Sequence, residues 1–177
     1  MTYLANPYLN ERETALVVTL VNEVRAKTVI EFGVQMGRTA AAMLRDVPTL
    51  TRYVGIDVPE GHMPTLVGQR SQVPQVPGFC ASDDPRFELI VRDHGSLDLG
   101  PHDLPPCDAA FIDGDHSEGA VLHDSGLAVR LVRKGGIIIW HDFDNPEVEV
   151  TAAIRALAGR GWPIEIINGT WLAFMRA

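Results

Sequence analysis

Two stretches of this chain place acids beside histidines directly after apolar runs. Phe111-Ile112 leads into Asp113-Gly114-Asp115-His116-Ser117, and Ile137-Ile138-Ile139-Trp140 leads into His141-Asp142-Phe143. Carboxylate oxygens with an imidazole and open water positions suit Mg²⁺ or Mn²⁺ and tolerate Fe²⁺ or Zn²⁺, so Asp113, His141 and Asp142 are candidate metal ligands. Asp115 and Asp144 are reserves, or plain solvated acids. His116 follows Asp113 closely and titrates near neutral pH, which makes it a candidate proton acceptor. Its alternative is a surface histidine at a helix start.

A third stretch has the makings of a nucleotide cradle. The apolar run Thr28–Phe32 enters a turn of the form E-x-G-x-x-x-G-x-T, with Glu31, Gly33, Gly37 and Thr39, and continues into Ala40-Ala41-Ala42-Met43-Leu44. Glycines there let a backbone approach a ligand, and the following helix begins with open N–H groups. The dinucleotide spacing G-x-G-x-x-G is missing. Asp57 ends the run Tyr53-Val54-Gly55-Ile56, where its carboxylate can accept hydrogen bonds from both hydroxyls of a ribose. Glu31 can orient the turn or an amino group of the ligand.

The elements that must carry these residues alternate. Asn10 and Glu13 have capping-box spacing, and Leu16, Val17, Leu20, Val21 and Val24 form one apolar stripe of a helix. Short apolar runs at 28–32, 53–56, 87–91, 109–112 and 137–140 read as buried parallel strands. Helices are expected from about Ser117 to Arg133, closed by Lys134-Gly135-Gly136, and from Val148 to Ala158. The runs 164–167 and 171–174 are joined only by Asn168-Gly169-Thr170, which allows a hairpin but not a parallel crossover. Between Val58 and Arg86, prolines and glycines preclude a continuous helix, leaving a long loop with at most one helical turn. Loops this long are usually functional or disordered. The loop reads as a substrate lid, with Met63 and Phe79 as its pocket-lining residues, or as a mobile insertion with no role.

Length and charge set limits. The 177 residues suit one domain spanning 1–177. A net charge of −8 argues against nucleic acid as a partner and favours a neutral or cationic small molecule. Cys80 and Cys107 form neither a C-x-x-C pair nor a disulfide framework, as suits a reducing cytoplasm. The N-terminus lacks a targeting pattern and no window is apolar enough to span a membrane, so a cytoplasmic protein is expected. A homodimer is compatible with such a chain.

The glycine turn, Asp57, the βα alternation and the terminal hairpin together resemble class I S-adenosylmethionine-dependent methyltransferases, over Asn10 to Met175. That resemblance implies an α/β, Rossmann-like sheet of seven strands, the last antiparallel, with helices on both faces. It implies S-adenosylmethionine as cofactor, contacted by Glu31, Gly33, Gly37, Thr39, Asp57 and Asp113, with adenine met by Asp93 or His94 of Arg92-Asp93-His94-Gly95-Ser96. The Asp113 and His141-Asp142 motifs are further similar to metal-dependent O-methyltransferases, closest to a small bacterial branch with the F-I-D-G-D-H pattern that includes sugar and antibiotic-tailoring enzymes. There the metal aligns a substrate hydroxyl with the sulfonium methyl group, and His116 holds the base position that catechol-type relatives fill with lysine. His141 departs from the acid usual in those families. The implied reaction is metal-assisted O-methylation of a sugar, phenol or natural product. Rival readings are a nicotinamide-dependent oxidoreductase, a metal-dependent hydrolase and a non-catalytic S-adenosylmethionine-binding protein.

Overall fold

The structure, a computed structural model, describes residues 9–177. The expected absence of a targeting segment falls partly on residues 1–8, outside the described residues. Seven strands, β1 (Thr28–Phe32), β2 (Arg52–Asp57), β3 (Phe87–Val91), β4 (Cys107–Ile112), β5 (Val132–Trp140), β6 (Glu165–Ile166) and β7 (Ala173–Arg176), form one sheet in the order β3-β2-β1-β4-β5-β7-β6. The strands from β1 to β5 are parallel, and β7 lies antiparallel between β5 and β6. The short turn at Asn168 thus reverses the chain as its length demands.

Alternation along the strands sorts the core into two layers. Ile30, Phe32, Val54, Ile56, Ala110, Ile112, Ile138 and Trp140 pack with α3 (Glu118–Leu131) and α4 (Val150–Gly159). Val29, Tyr53, Ala109, Phe111, Ile137 and Ile139 face α1 (Glu11–Glu23) and α2 (Arg38–Asp46). Asn10 caps α1 through Oδ1, which accepts the Glu13 N–H at 3.0 Å.

Three elements differ from the sequence expectation. The strand β3 is half-exposed rather than buried, because it is the sheet's edge and no helix crosses from β2 to β3; only a 3₁₀ turn at Val67–Gln69 interrupts that segment. Helix α3 stops at Leu131, and Lys134-Gly135-Gly136 belongs to β5 instead of closing the helix. Val132 pairs with Cys107, the chain bulges, and pairing resumes at Ile137 opposite Ala109. Helix α4 begins at Val150, which leaves Val148 in the preceding loop.

Asp124, on the inner face of α3, is buried with neither carboxylate oxygen hydrogen-bonded. Burial pushes its pKa up to about 7. A raised carboxyl pKa means that stability is present while the acid is protonated and declines as pH rises from the unfolded value, about 3.9, to the folded one. The Asp124→Asn variant should therefore melt several degrees above wild type at pH 8 and close to it at pH 4. Melting curves across that range check the sign.

Candidate active site

Strand register aligns the residues that matter. Phe32 pairs with both Ile56 and Ile112, and Ile112 pairs with Trp140, so the next residues along each strand, Gly33, Asp57, Asp113 and His141, lie in one row at the carboxyl edge. Ladder bonds extend past the strands: Gly33 N–H donates to Ile56 O, Asp113 N–H to Phe32 O and His141 N–H to Ile112 O, at 2.9, 2.9 and 3.1 Å. Trp140, fully buried, donates its indole N–H to Ser125 Oγ at 2.9 Å and so fixes the end of β5 against α3.

At this edge Asp113, His116, His141 and Asp142 converge. Asp113 Oδ1 lies 3.3 Å from His116 Nε2 and 3.2 Å from His141 Nδ1. Asp142 Oδ2 lies 3.3 and 3.4 Å from the same two nitrogens. Asp142 holds this position with φ +61°, a left-handed conformation costly for a non-glycine residue, and its Oδ1 accepts the Asn145 amide at 2.6 Å. Ligand atoms of Asp113, His141 and Asp142 all lie within 4.8 Å of one another, and two carboxylates with one imidazole are a donor set that fits a divalent cation.

The electrostatics follow from this packing. Burial alone would raise Asp113, but His141 and His116 hold it well below the ordinary carboxylate range. Burial alone would lower both histidines; Asp113 and Asp142 outweigh it, raising His116 above its ordinary value and, with Glu13, pushing His141 up to about 12. His116 is only 6 % exposed, which removes the surface-histidine alternative. Asp115 instead accepts the Ser117 N–H in the turn before α3, and Asp144 is exposed beside Arg155, so neither reserve joins the cluster.

The glycine turn is packed against the protein's own backbone. Gly33 has φ +84°, and a Cβ there would lie 2.3 Å from the Asp113 carbonyl oxygen; Gly37 has φ +77°, and its Cβ would lie 3.0 Å from the Gly78 backbone. Both glycines therefore admit the protein's own backbone, and a side chain at Gly33 is a folding lesion before it is a binding one. Asp57 Oδ2 accepts the Gln35 N–H at 2.5 Å and Oδ1 the Val58 N–H at 2.7 Å, which ties β2 to the turn. Burial raises its pKa, with those backbone bonds opposing. Glu31 accepts the Tyr53 hydroxyl at 2.9 Å, and burial, with Asp113 and Asp57 nearby, holds it well above the ordinary range.

A cleft runs along this edge in two chambers. The larger, about 300 Å³, is lined by Glu31, Thr39, Asp113, His116 and Asp142 together with Trp171. The smaller, about 100 Å³, is lined by Asp57, His94, Ser96 and Asp115, and Gly33, Gln35, Gln69, Gln72 and Asp113 border both. Asp93 has an exposed side chain and offers only its carbonyl, to His62 at 2.9 Å, so of the two adenine candidates only His94 reaches the cleft.

The 58–86 segment forms one wall, but not with the residues expected. Met63 and Phe79 point away, 64 and 61 % exposed. Buried Gln69 does the work: its Nε2 donates to Gly114 O at 3.0 Å and its Oε1 accepts the His116 N–H at 3.0 Å. The far end is held by Gly78 N–H to Gln35 O and Cys80 N–H to Met36 O, at 2.7 and 2.8 Å. Glu13 and Trp171 were also missed as site residues; Glu13 Oε2 lies 3.5 Å from His141 Nε2, an ion pair longer than a hydrogen bond.

A sheet of this order, with a glycine turn after β1, an acid after β2 and a cleft across the strand ends, defines a class I methyltransferase architecture. The sequence matches the family described as "Methyltransferase domain" over residues 30–143, and the chain belongs to that family. Among solved structures it is similar to a cofactor-bound protein from MTB, Rv0187, with 21 % identity and a TM-score of 0.66, covering 97 % of this chain and 82 % of that one. The Bacillus cereus O-methyltransferase in complex with SAH gives 17 % identity and 0.67, covering 100 and 84 %. The Streptomyces achromogenes O-methyltransferase TomG, involved in tomaymycin synthesis and complexed with SAM, gives 20 % and 0.62, covering 94 and 80 %. No curated protein matches the sequence.

Replacing Gln69 by Ala removes both bonds that seat the 58–86 segment on the His116 turn. Each is worth about 1 kcal/mol net. The variant should be cut sooner by protease within that segment and exchange the His116 amide faster, with its melting temperature lowered by several degrees. An unchanged cleavage rate would show that the bonds at Gly78 and Cys80 suffice.

Proposed function

We propose that this protein transfers the methyl group of S-adenosylmethionine to a hydroxyl oxygen of a small molecule. The observation that carries this reading is the buried Asp113-His116-His141-Asp142 cluster, which opens into the chamber adjoining the one beside Asp57. SAM and SAH in the cofactor complexes of TomG and the Bacillus cereus enzyme support the cofactor assignment. In this reading adenosine lies in the smaller chamber, its ribose at Asp57 and its base near His94, Gly95 and Ser96. The methionine part passes Gly33 and Glu31, and the acceptor enters beside Trp171 and Val148. Two free thiols suit a reducing, cytoplasmic setting.

Asp113, His141 and Asp142 would hold a divalent cation. When bound, that ion would hold the acceptor oxygen and lower its pKa. With a cation in place of the hydrogen that its Nε2 shares with Asp113 and Asp142, His116 would be free to take the acceptor's proton at that nitrogen. The oxygen forms its bond to the methyl carbon as the carbon–sulfur bond breaks, leaving S-adenosylhomocysteine and a methyl ether. Gln69 holds the His116 backbone during this step. Trp171 lies beside the His141 ring at 6.2 Å between centroids and forms part of the wall of the chamber where the reacting oxygen would sit.

Calorimetry tests the cofactor half. Asp57→Ala loses charge-assisted bonds to the ribose, about 1.5 to 3 kcal/mol, so S-adenosylhomocysteine should bind tens of fold more weakly to a variant that is still folded. Wild-type affinity in that variant would defeat the assignment.

Transfer of a labelled methyl group to a panel of sugars, phenols and hydroxylated natural products identifies the acceptor. With an acceptor in hand, His116→Ala should lower turnover by about 10² to 10⁴ and leave S-adenosylhomocysteine affinity nearly unchanged. Full turnover in the variant would leave activation of the hydroxyl to Asp113 and Asp142 and what they bind.

A further inference from the structure

Glu13 sits in the first turn of α1, where an acid ordinarily faces water, yet it is 3 % exposed. Its oxygens point inward. Oε1 accepts the Trp171 N–H at 2.7 Å; Oε2 accepts the Asn10 amide at 2.6 Å and faces His141 Nε2 at 3.5 Å. That ring nitrogen is buried and has no hydrogen-bond partner. The opposite nitrogen, Nδ1, faces Asp113 and Asp142 at 3.2 and 3.4 Å. His141 therefore lies between a carboxylate from the first helix and the two carboxylates at the strand ends.

We propose that Glu13 is the positioning residue of His141: it takes the Nε2–H, fixes the ring, and leaves Nδ1 directed at Asp113, Asp142 and the cation they would hold. The part that concerns the cation rests on the metal reading of the site. A carboxylate facing one imidazole nitrogen selects the tautomer and orients the other nitrogen for coordination. A small inward shift of the Glu13 carboxylate would bring Oε2 to ordinary hydrogen-bond distance. An imidazole at position 141 is also the ligand that Glu13 permits. A carboxylate there would face Glu13 directly, like charge against like, in a buried setting.

A structural role would have Glu13 serve only to hold the hairpin through Trp171. Glu13→Gln separates the two. Its side-chain oxygen can still accept the Trp171 N–H, whereas its NH₂ group then faces His141 Nε2 and can accept no hydrogen from it. The His141 Nε2–H is read by ¹H–¹⁵N NMR in metal-free protein, and Mn²⁺ affinity by calorimetry. Wild type should show a downfield, slowly exchanging Nε2–H, as a hydrogen donated to a carboxylate gives. The variant should lose that signal and bind Mn²⁺ roughly 10- to 100-fold more weakly, with melting temperature and S-adenosylhomocysteine affinity barely changed. A wild-type Nε2–H that exchanges fast at an ordinary shift overturns the proposal, whether or not the variant folds. So does a folded Glu13→Gln protein with the wild-type ring pattern. If wild type binds no Mn²⁺ while the variant still loses the Nε2–H signal, the metal reading fails and the positioning role of Glu13 stands.

Discussion

Asp113 Oδ1 is shared by two imidazoles, at 3.3 Å from His116 and 3.2 Å from His141, and the surrounding structure depends on that contact. Desolvating a carboxylate costs several kcal/mol, and this edge buries Asp113, Asp142 and Glu13 together. Removing either histidine would leave buried negative charges facing one another. The requirement explains why distant parts of the chain meet here: β4 brings Asp113, the turn before α3 brings His116, β5 brings His141 and Asp142, and α1 brings Glu13. It also explains the left-handed backbone at Asp142, which directs one oxygen to both histidines and the other to Asn145.

The missing helix between β2 and β3 has consequences on both sides of the segment that replaces it. Outward, β3 is left as a half-exposed edge, and Val67, Val76 and Phe79 face solvent. Inward, a polar chain is brought to the cleft: the Gln69 amide bonds the Gly114 and His116 backbone, and the Gln72 backbone carbonyl accepts the Gln35 side-chain amide at 3.3 Å. The glycines serve this arrangement. Gly37 admits Gly78 and Gly33 admits the Asp113-Gly114 turn, so the glycine spacing also makes room for the chain itself.

The sheet was legible because parallel strands leave short apolar runs, though the half-exposed edge strand β3 leaves one too, and because a three-residue link leaves the last two strands no choice but a hairpin. The strand-end residues were legible for the same reason: register makes Asp57, Asp113 and His141 neighbours once the strands are placed. What escaped depends on contacts without periodicity. Glu13 read as half of a capping box, and its N–H does bond Asn10, but nothing local signals that its carboxylate turns inward. Gln69 lies in a Pro/Gly-rich loop, where apolar Met63 and Phe79 looked the better pocket residues. The end of α3 was misplaced because Gly135-Gly136 resembles a helix stop, while pairing of Val132 with Cys107 starts the strand earlier. Asp93 and His94 were indistinguishable by type; only the turn after β3 decides which faces the cleft.

The balance of charge along the cleft separates the cofactor classes that the fold alone leaves open. Its walls carry Glu31, Asp57, Asp113, Asp115, Asp142 and Glu147, against Arg38 and the His116 that the carboxylates hold. A dinucleotide would bring a pyrophosphate to the glycine turn, where Asp57 already occupies the Gln35 N–H and Glu31 and Asp113 lie behind it. Each phosphate would face carboxylates at short range in a partly desolvated space, an arrangement that like charges disfavour. A sulfonium with an ammonium group meets the same wall with the opposite sign. Its approach would also favour ionisation of Glu31, whose pKa burial raises. The acidity of the cleft, set by the same residues that form the histidine cluster, thus favours a cationic cofactor over an anionic one on a sheet architecture that accommodates both.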